Sequence, residues 1–133
     1  KLNLPRVKQR DDFQFSTPDG KTYIIQIKKY QVDGTGDMGI DVSFYDPASE
    51  SPFAVTGSGN AIRIFSTVKN VVGKYLSQDP SISVITFLSK NSESSRLKLY
   101  RTFLVQISRW FPEFQRTRET KTDDYVEFKL SKS

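Results

Sequence analysis

The sequence predicts an α+β domain, and three observations predict it. Short runs of alternating or β-branched residues fill the first half of the chain. Two stretches with apolar residues three and four apart lie in the second half. Clusters of Gly, Pro, Asp and Ser punctuate the runs. The length of 133 residues fits one domain, and 36% hydrophobic residues suffice for one core.

Residues 1–10 read as a basic N-terminal arm, because Pro5 interrupts regular structure and Lys1, Arg6, Lys8 and Arg10 repel one another. Residues 11–133 read as a single domain. Phe13 to Ser16 alternates and reads as a strand. Thr17-Pro18-Asp19-Gly20 is a turn, since proline presets φ and glycine accepts φ > 0. Tyr23 to Lys28 is rich in isoleucine and reads as the second strand of a hairpin. After the Asp33–Asp37 loop, Ile40, Val42 and Phe44 share one face of a third strand. Phe53 to Thr56 reads as a short fourth strand.

A helix follows, with Ile62, Phe65, Val68, Val72 and Leu76 on one face, and Asp79-Pro80 ends it. Ile82 to Leu88 is a strand with little charge, expected near the sheet centre. Asn91 to Ser95 offers helix caps. Leu97, Tyr100, Leu104, Ile107 and Phe111 mark the second helix, which Pro112 stops. Tyr125 to Leu130 is the closing strand, with Phe114 to Thr117 as a candidate hairpin partner. The predicted order is β-β-β-β-α-β-α-(β)-β in a mostly antiparallel mixed sheet. The step over residues 53–88 would supply the parallel pair.

The chain has neither cysteine nor histidine. That removes disulfides, thiolate nucleophiles, Ser-His-Asp chemistry and Cys/His zinc sites from consideration. No apolar run approaches the roughly 20 residues that span a bilayer, and the N-terminus shows no apolar signal-peptide core. The expectation is therefore a cytoplasmic protein with no membrane association. Charge is uneven: residues 30–62 carry five acids and no Lys or Arg, whereas residues 90–118 carry seven basic groups against Glu93 and Glu113. A basic region attracts phosphate-bearing ligands, and it is also how a solvated helix face reads.

Two features are site-like. Thr56-Gly57-Ser58-Gly59-Asn60-Ala61 lies between a strand and a helix. Glycine allows close backbone approach, and a helix N-terminus presents unpaired N–H groups to an anion. The same residues also read as a tight strand–helix turn. Tyr100, on the apolar face of the second helix, reads either as a buried tyrosine or as a phenol that protonates a leaving thiolate. Asp37, Asp41 and Glu50 are acids near the third strand that could face a substrate amine, and each also reads as a solvated charge.

Over roughly residues 40–130 the order of strand, glycine loop, helix, strand, Asn/Ser loop, helix carrying Leu99-Tyr100, and final strand resembles the GNAT acyltransferase superfamily. It is similar in particular to small, divergent members encoded by bacteriophages. The resemblance implies that the loop around Gly57, Gly59 and Ala61 holds a coenzyme A pyrophosphate and that Tyr100 is the general acid. Arg63 would help hold phosphate, acetyl-CoA or another acyl-CoA would be the acyl donor, and an amine the acceptor. Ala54 stands where the family loop opens with Gln or Arg, and Asn91 lies nine residues before the tyrosine where the family has seven. These departures and the basic arm favour a second expectation: a non-catalytic phage, virion or host-interaction protein that binds a protein partner, located in the host cytoplasm or the virion. Nucleic-acid binding through residues 90–118, with Trp110 or Tyr100 as stacking platforms, is a third.

Overall fold

The computed structural model describes residues 7–18, 20–32, 34, 36–45, 58–92 and 94–132. Its elements run β1 (Val7–Ser16), β2 (Thr22–Gln31), β3 (Met38–Tyr45), α1 (Ser58–Gln78), β4 (Ile82–Lys90), α2 (Ser94–Trp110), β5 (Arg116–Lys121) and β6 (Tyr125–Ser131). The six strands form one sheet in the order β1-β2-β3-β4-β6-β5. Among the described strands, only the β3–β4 pair is parallel. A parallel pair needs a long crossover, and α1 lies in it.

Local chemistry explains the element ends. Gly20 has φ 84°, and its N–H donates to the Thr17 carbonyl at 2.9 Å, closing the β1–β2 turn. Asp79 Oδ1 accepts the Ser81 N–H at 3.0 Å, an Asx turn that carries the chain from α1 past Pro80 into β4. Thr122 and Tyr125 exchange hydrogen bonds to make the β5–β6 turn.

One face of the sheet is apolar. Tyr23, Ile25 and Ile27 of β2, Ile40, Val42 and Phe44 of β3, Ile85 and Phe87 of β4, and Val126, Phe128 and Leu130 of β6 are all buried there. They form one cluster with Ile64, Val68, Val72 and Tyr75 of α1 and Leu97, Tyr100, Phe103 and Ile107 of α2. An edge-on contact of Phe65 with Phe103, with ring centroids 5.4 Å apart, joins the two helices. The fold is thus two layers, with both helices on one face. Among the described residues no element covers the opposite, open face.

Several expectations are corrected. The strand that pairs in parallel with β4 is the third, residues 38–45; the strand expected at residues 53–56 lies outside the described residues. β1 begins at Val7, so Val7–Arg10 of the expected arm belong to the sheet. Pairing with β2 outweighs their charge there, because an edge strand keeps polar side chains in water. The buried stripe of α1 runs through Ile64, Val68, Val71, Val72 and Tyr75, and Ile62 is 66% exposed. The stripe turns because Ile64 and Tyr75 face the sheet, with Phe65 and Leu76 at its margin. β5 occupies Arg116–Lys121, further along than the expected Phe114–Thr117, and all six of its residues are exposed.

Candidate functional site at the parting of two strands

β3 and β4 pair over only part of their lengths. The register runs from Met38–Ile82 to Asp41–Thr86 and stops. Beyond it β3 continues to Tyr45 against β2, and β4 continues to Lys90 against β6. Val42–Tyr45 and Phe87–Lys90 therefore form the two arms of a fork. A parted pair leaves backbone groups without ladder partners, and these must be satisfied by other means.

On the helix side of the fork stands Tyr100. Phe44 N–H donates to its hydroxyl at 3.2 Å. Its ring packs with Phe87 (centroids 5.2 Å), Phe103 (6.0 Å) and Phe128 (6.2 Å). Tyr100 is fully buried. It sits there because Leu97, Tyr100, Phe103 and Ile107 form the sheet-facing stripe of α2.

α1 begins at the end of the sheet toward which the fork opens, as a helix following β3 must. Ser58 to Ala61 form its first turn, so the last four residues of the expected glycine loop are helical. Thr56 and Gly57 lie outside the described residues. The exposed Arg63, one turn further on, donates from Nε to the Ser16 carbonyl at 3.4 Å, tying α1 to the β1–β2 end of the sheet. Tyr100, the α1 N-terminus and Arg63 are thus gathered at one end of the sheet. Asn91 is nearby in sequence but structural in role. Its amide donates to the Thr122 and Asp123 carbonyls at 2.9 and 2.8 Å, and so binds the β4–α2 turn to the β5–β6 turn.

On the open face, at the base of the fork, lies a polar group that sequence reasoning only grazed. Thr86 donates to Asp41 Oδ1 at 2.9 Å. Burial pushes the Asp41 carboxyl above its ordinary pKa; the Thr86 hydrogen bond and the Lys28 charge oppose this, and Glu127 adds to it. Asp41 is therefore not the solvated charge that its type suggests, whereas Asp37 is exposed and Glu50 lies outside the described residues. Tyr30 crosses from β2 over Gly39 of β3. A Cβ at Gly39 would stand 2.5 Å from Tyr30 Cζ and 2.7 Å from both Cε2 and Oη. Such near-equal distances mean that the ring lies face-down on the strand. Burial raises the Tyr30 phenol above its ordinary pKa; the Thr86 hydroxyl opposes this, and Asp41 and Glu127 add to it. The signals in sequence were small: an acid amid Ile40 and Val42, and a glycine inside a strand.

The described basic side chains of residues 90–118 do not form one patch. Lys98, Arg101 and Arg109 are on α2, and Arg101 pairs with Glu119 at 3.1 Å. Lys90, Arg116 and Arg118 stand on strands. Tyr100 offers no free ring face, and Lys69 stands 5.6 Å over the Trp110 ring. No described helix is long and apolar enough to cross a membrane. Comparison with known protein families, with curated proteins and with solved structures finds no match to this chain.

Proposed function

We propose that this domain is a GNAT-like acyltransferase that takes an acyl group from acyl-CoA to an amine. The observation that carries the reading is the fork: β3 and β4 pair only through Asp41–Thr86 and then part, with the Tyr100 hydroxyl against Phe44 N–H inside the opening. The order from β3 through α1, β4 and α2 to a final strand, with α1 leaving from the fork end, supports it too. So does the 21-residue length of α1, which gives its N-terminal turn a full helix dipole.

In this reading the first turn of α1 offers backbone N–H groups to the pyrophosphate of acetyl-CoA or another acyl-CoA, with Thr56 and Gly57 before it and Arg63 beside it. Backbone N–H groups of the fork polarise the thioester carbonyl. The neutral acceptor amine forms the new C–N bond as the C–S bond breaks, the thiolate takes the Tyr100 proton, and the proton that the nitrogen sheds passes through water to restore the Tyr100 phenol. Tyrosine suits that step because it stays protonated at neutral pH. The thioester would reach the phenol by displacing Phe44 N–H.

A second reading rests on one contrary observation. Tyr100 is fully enclosed by Phe87, Phe103 and Phe128, and its hydroxyl is already engaged by Phe44. A domain whose fork is filled in this way fits a non-catalytic phage, virion or host-interaction protein that keeps the scaffold.

Calorimetric titration with acetyl-CoA and with free coenzyme A separates the two. The acyltransferase reading expects micromolar binding that is lost when Gly57 and Gly59 are both replaced by bulky residues. It also expects Tyr100→Phe to lower turnover more than binding. No heat and no thermal shift at millimolar ligand would discard it, and a search for protein partners would follow.

A further inference from the structure

The open face of the sheet carries a line of cations that the fork does not use. Residues paired across strands share a face, so the registers can be read straight across the sheet. One rung runs Arg10–Lys28–Asp41–Thr86–Lys129–Arg118, through all six strands. The neighbouring rung begins Val7–Tyr30–Gly39 and ends Ser131–Arg116. The rung on the other side holds Asp12 and Glu127 and no cation. Apart from Lys90, two rungs further along β4, the paired basic side chains of this face lie in two adjacent rungs, with the Tyr30 ring lying flat between them.

Four of these cations make no salt bridge among the described residues, although Lys28 stands beside Asp41. Lys28, Lys129, Arg116 and Arg118 form no ion pair with a described residue, and Arg10 makes one long contact of 3.7 Å with Asp12. The only acid in the cationic rung is Asp41, whose carboxyl is held by Thr86. Burial raises the pKa of that carboxyl.

We propose that the open face binds single-stranded nucleic acid, with phosphates along the Arg10–Lys28–Lys129–Arg118 line and Arg116, and a base stacked on Tyr30. The geometry suits a strand. Six strands at about 4.8 Å spacing span about 24 Å, roughly the reach of four nucleotides. The cations stand in two groups, on β1–β2 and on β6–β5, either side of Asp41 and Thr86, so a strand laid across the sheet meets them at both ends. Gly39 lets one face of the half-buried Tyr30 ring rest on the sheet, which leaves the other face as the one on which a base would stack. Stacking on such a platform tolerates any base. An acidic protein would be drawn to the same cations but gains nothing from a flat ring among them. The inference does not rest on the acyltransferase reading, since it uses none of the fork residues.

Fluorescence anisotropy with a labelled 12-nucleotide oligothymidine tests it, using the intact chain at several salt concentrations. Binding should weaken as salt rises, with log K falling against log salt at a slope of about −3, as four phosphate contacts give. Replacing both Arg116 and Arg118 with Gln, on an exposed edge where folding is not at stake, should make that slope shallower by about 1.4. Tyr30→Leu should weaken binding about tenfold and leave the slope unchanged. Lys98→Gln with Arg109→Gln, on α2, should change nothing. Absence of binding at 100 μM oligonucleotide and about 50 mM salt would overturn the proposal. So would polyglutamate competing as well as oligothymidine with no effect of Tyr30→Leu, which would assign the face to an acidic protein.

Discussion

Phe44 N–H donates to the Tyr100 hydroxyl at 3.2 Å, at a level where β3 has already left β4. A side chain from α2 thus serves a backbone donor on the fork arm. Tyr100→Phe keeps the ring and its contacts with Phe87, Phe103 and Phe128 but removes the oxygen. A buried N–H without a partner costs about 1–3 kcal/mol. Urea denaturation of Tyr100→Phe should show a stability loss of about 1–2 kcal/mol with an unchanged m-value. A loss below about 0.5 kcal/mol would mean that Phe44 N–H is served in another way.

Gly39 and Tyr30 are coupled by space. A methyl group at Gly39 would overlap the Tyr30 ring at 2.5 Å, so the ring would have to leave its place over the strand. Gly39→Ala should destabilise by about 1–3 kcal/mol, the usual range for overpacking. In a Tyr30→Ala background the same change should be neutral or slightly stabilising, because alanine orders a strand at lower entropic cost than glycine. A double-mutant cycle measures the coupling, and equal effects in the two backgrounds would show that the ring does not hold this position in solution.

These two pairs also show where sequence reasoning stops. Hairpin residues Thr17 to Gly20, the isoleucines of β2, the Pro80 and Pro112 stops and the Leu97–Tyr100–Ile107 stripe were all legible, because each is a local preference. The position of Tyr100 on an apolar face was legible too, and so was the ambiguity of its role. The partner of β4 was not, since pairing between residues 38–41 and 82–86 depends on what lies between them. β5 has the sequence RTRETK, with no apolar residue to announce a strand, and it exists by pairing with β6. The Tyr30–Gly39 and Asp41–Thr86 relations join residues 9 and 45 positions apart, and only the register brings them side by side.

Asp41 should make stability fall as pH rises. Its folded pKa is raised, chiefly by burial, so its contribution is fully present below the unfolded value of about 3.9 and is lost as pH rises through the folded value. Asp41→Asn keeps an acceptor for Thr86 and cannot ionise. The variant should be more stable than the parent at pH 7, by on the order of 1 kcal/mol, and equal to it near pH 3. Thermal melts across that range check it, and a variant less stable at pH 7 would show that the charge is compensated by Lys28.

The opposite sign is expected at Asp79, where the turn after α1 meets β2. Lys29 pairs with its carboxylate, and Ser81 donates to it from both N–H and hydroxyl. The Lys29 hydrogen bond first, and Ser81 next, hold this carboxyl down to about 2. A depressed carboxylate contributes stability that is present above the unfolded value of about 3.9 and lost as pH falls through the folded one. The side chains of Lys29 and Asp79 are 19% and 23% exposed, so solvent screens the pair in part. Its contribution is then about 1 kcal/mol at neutral pH. Asp79→Asn still accepts the Ser81 N–H and so isolates the charge. The melting temperature of the variant should trail the parent by a few degrees at pH 7 and converge with it at pH 2. Added salt at pH 7 should narrow the gap as well, because screening weakens the pair without touching the turn. A gap that stays constant from pH 7 to pH 2 would assign the loss to turn geometry and leave the ion pair without a measurable role.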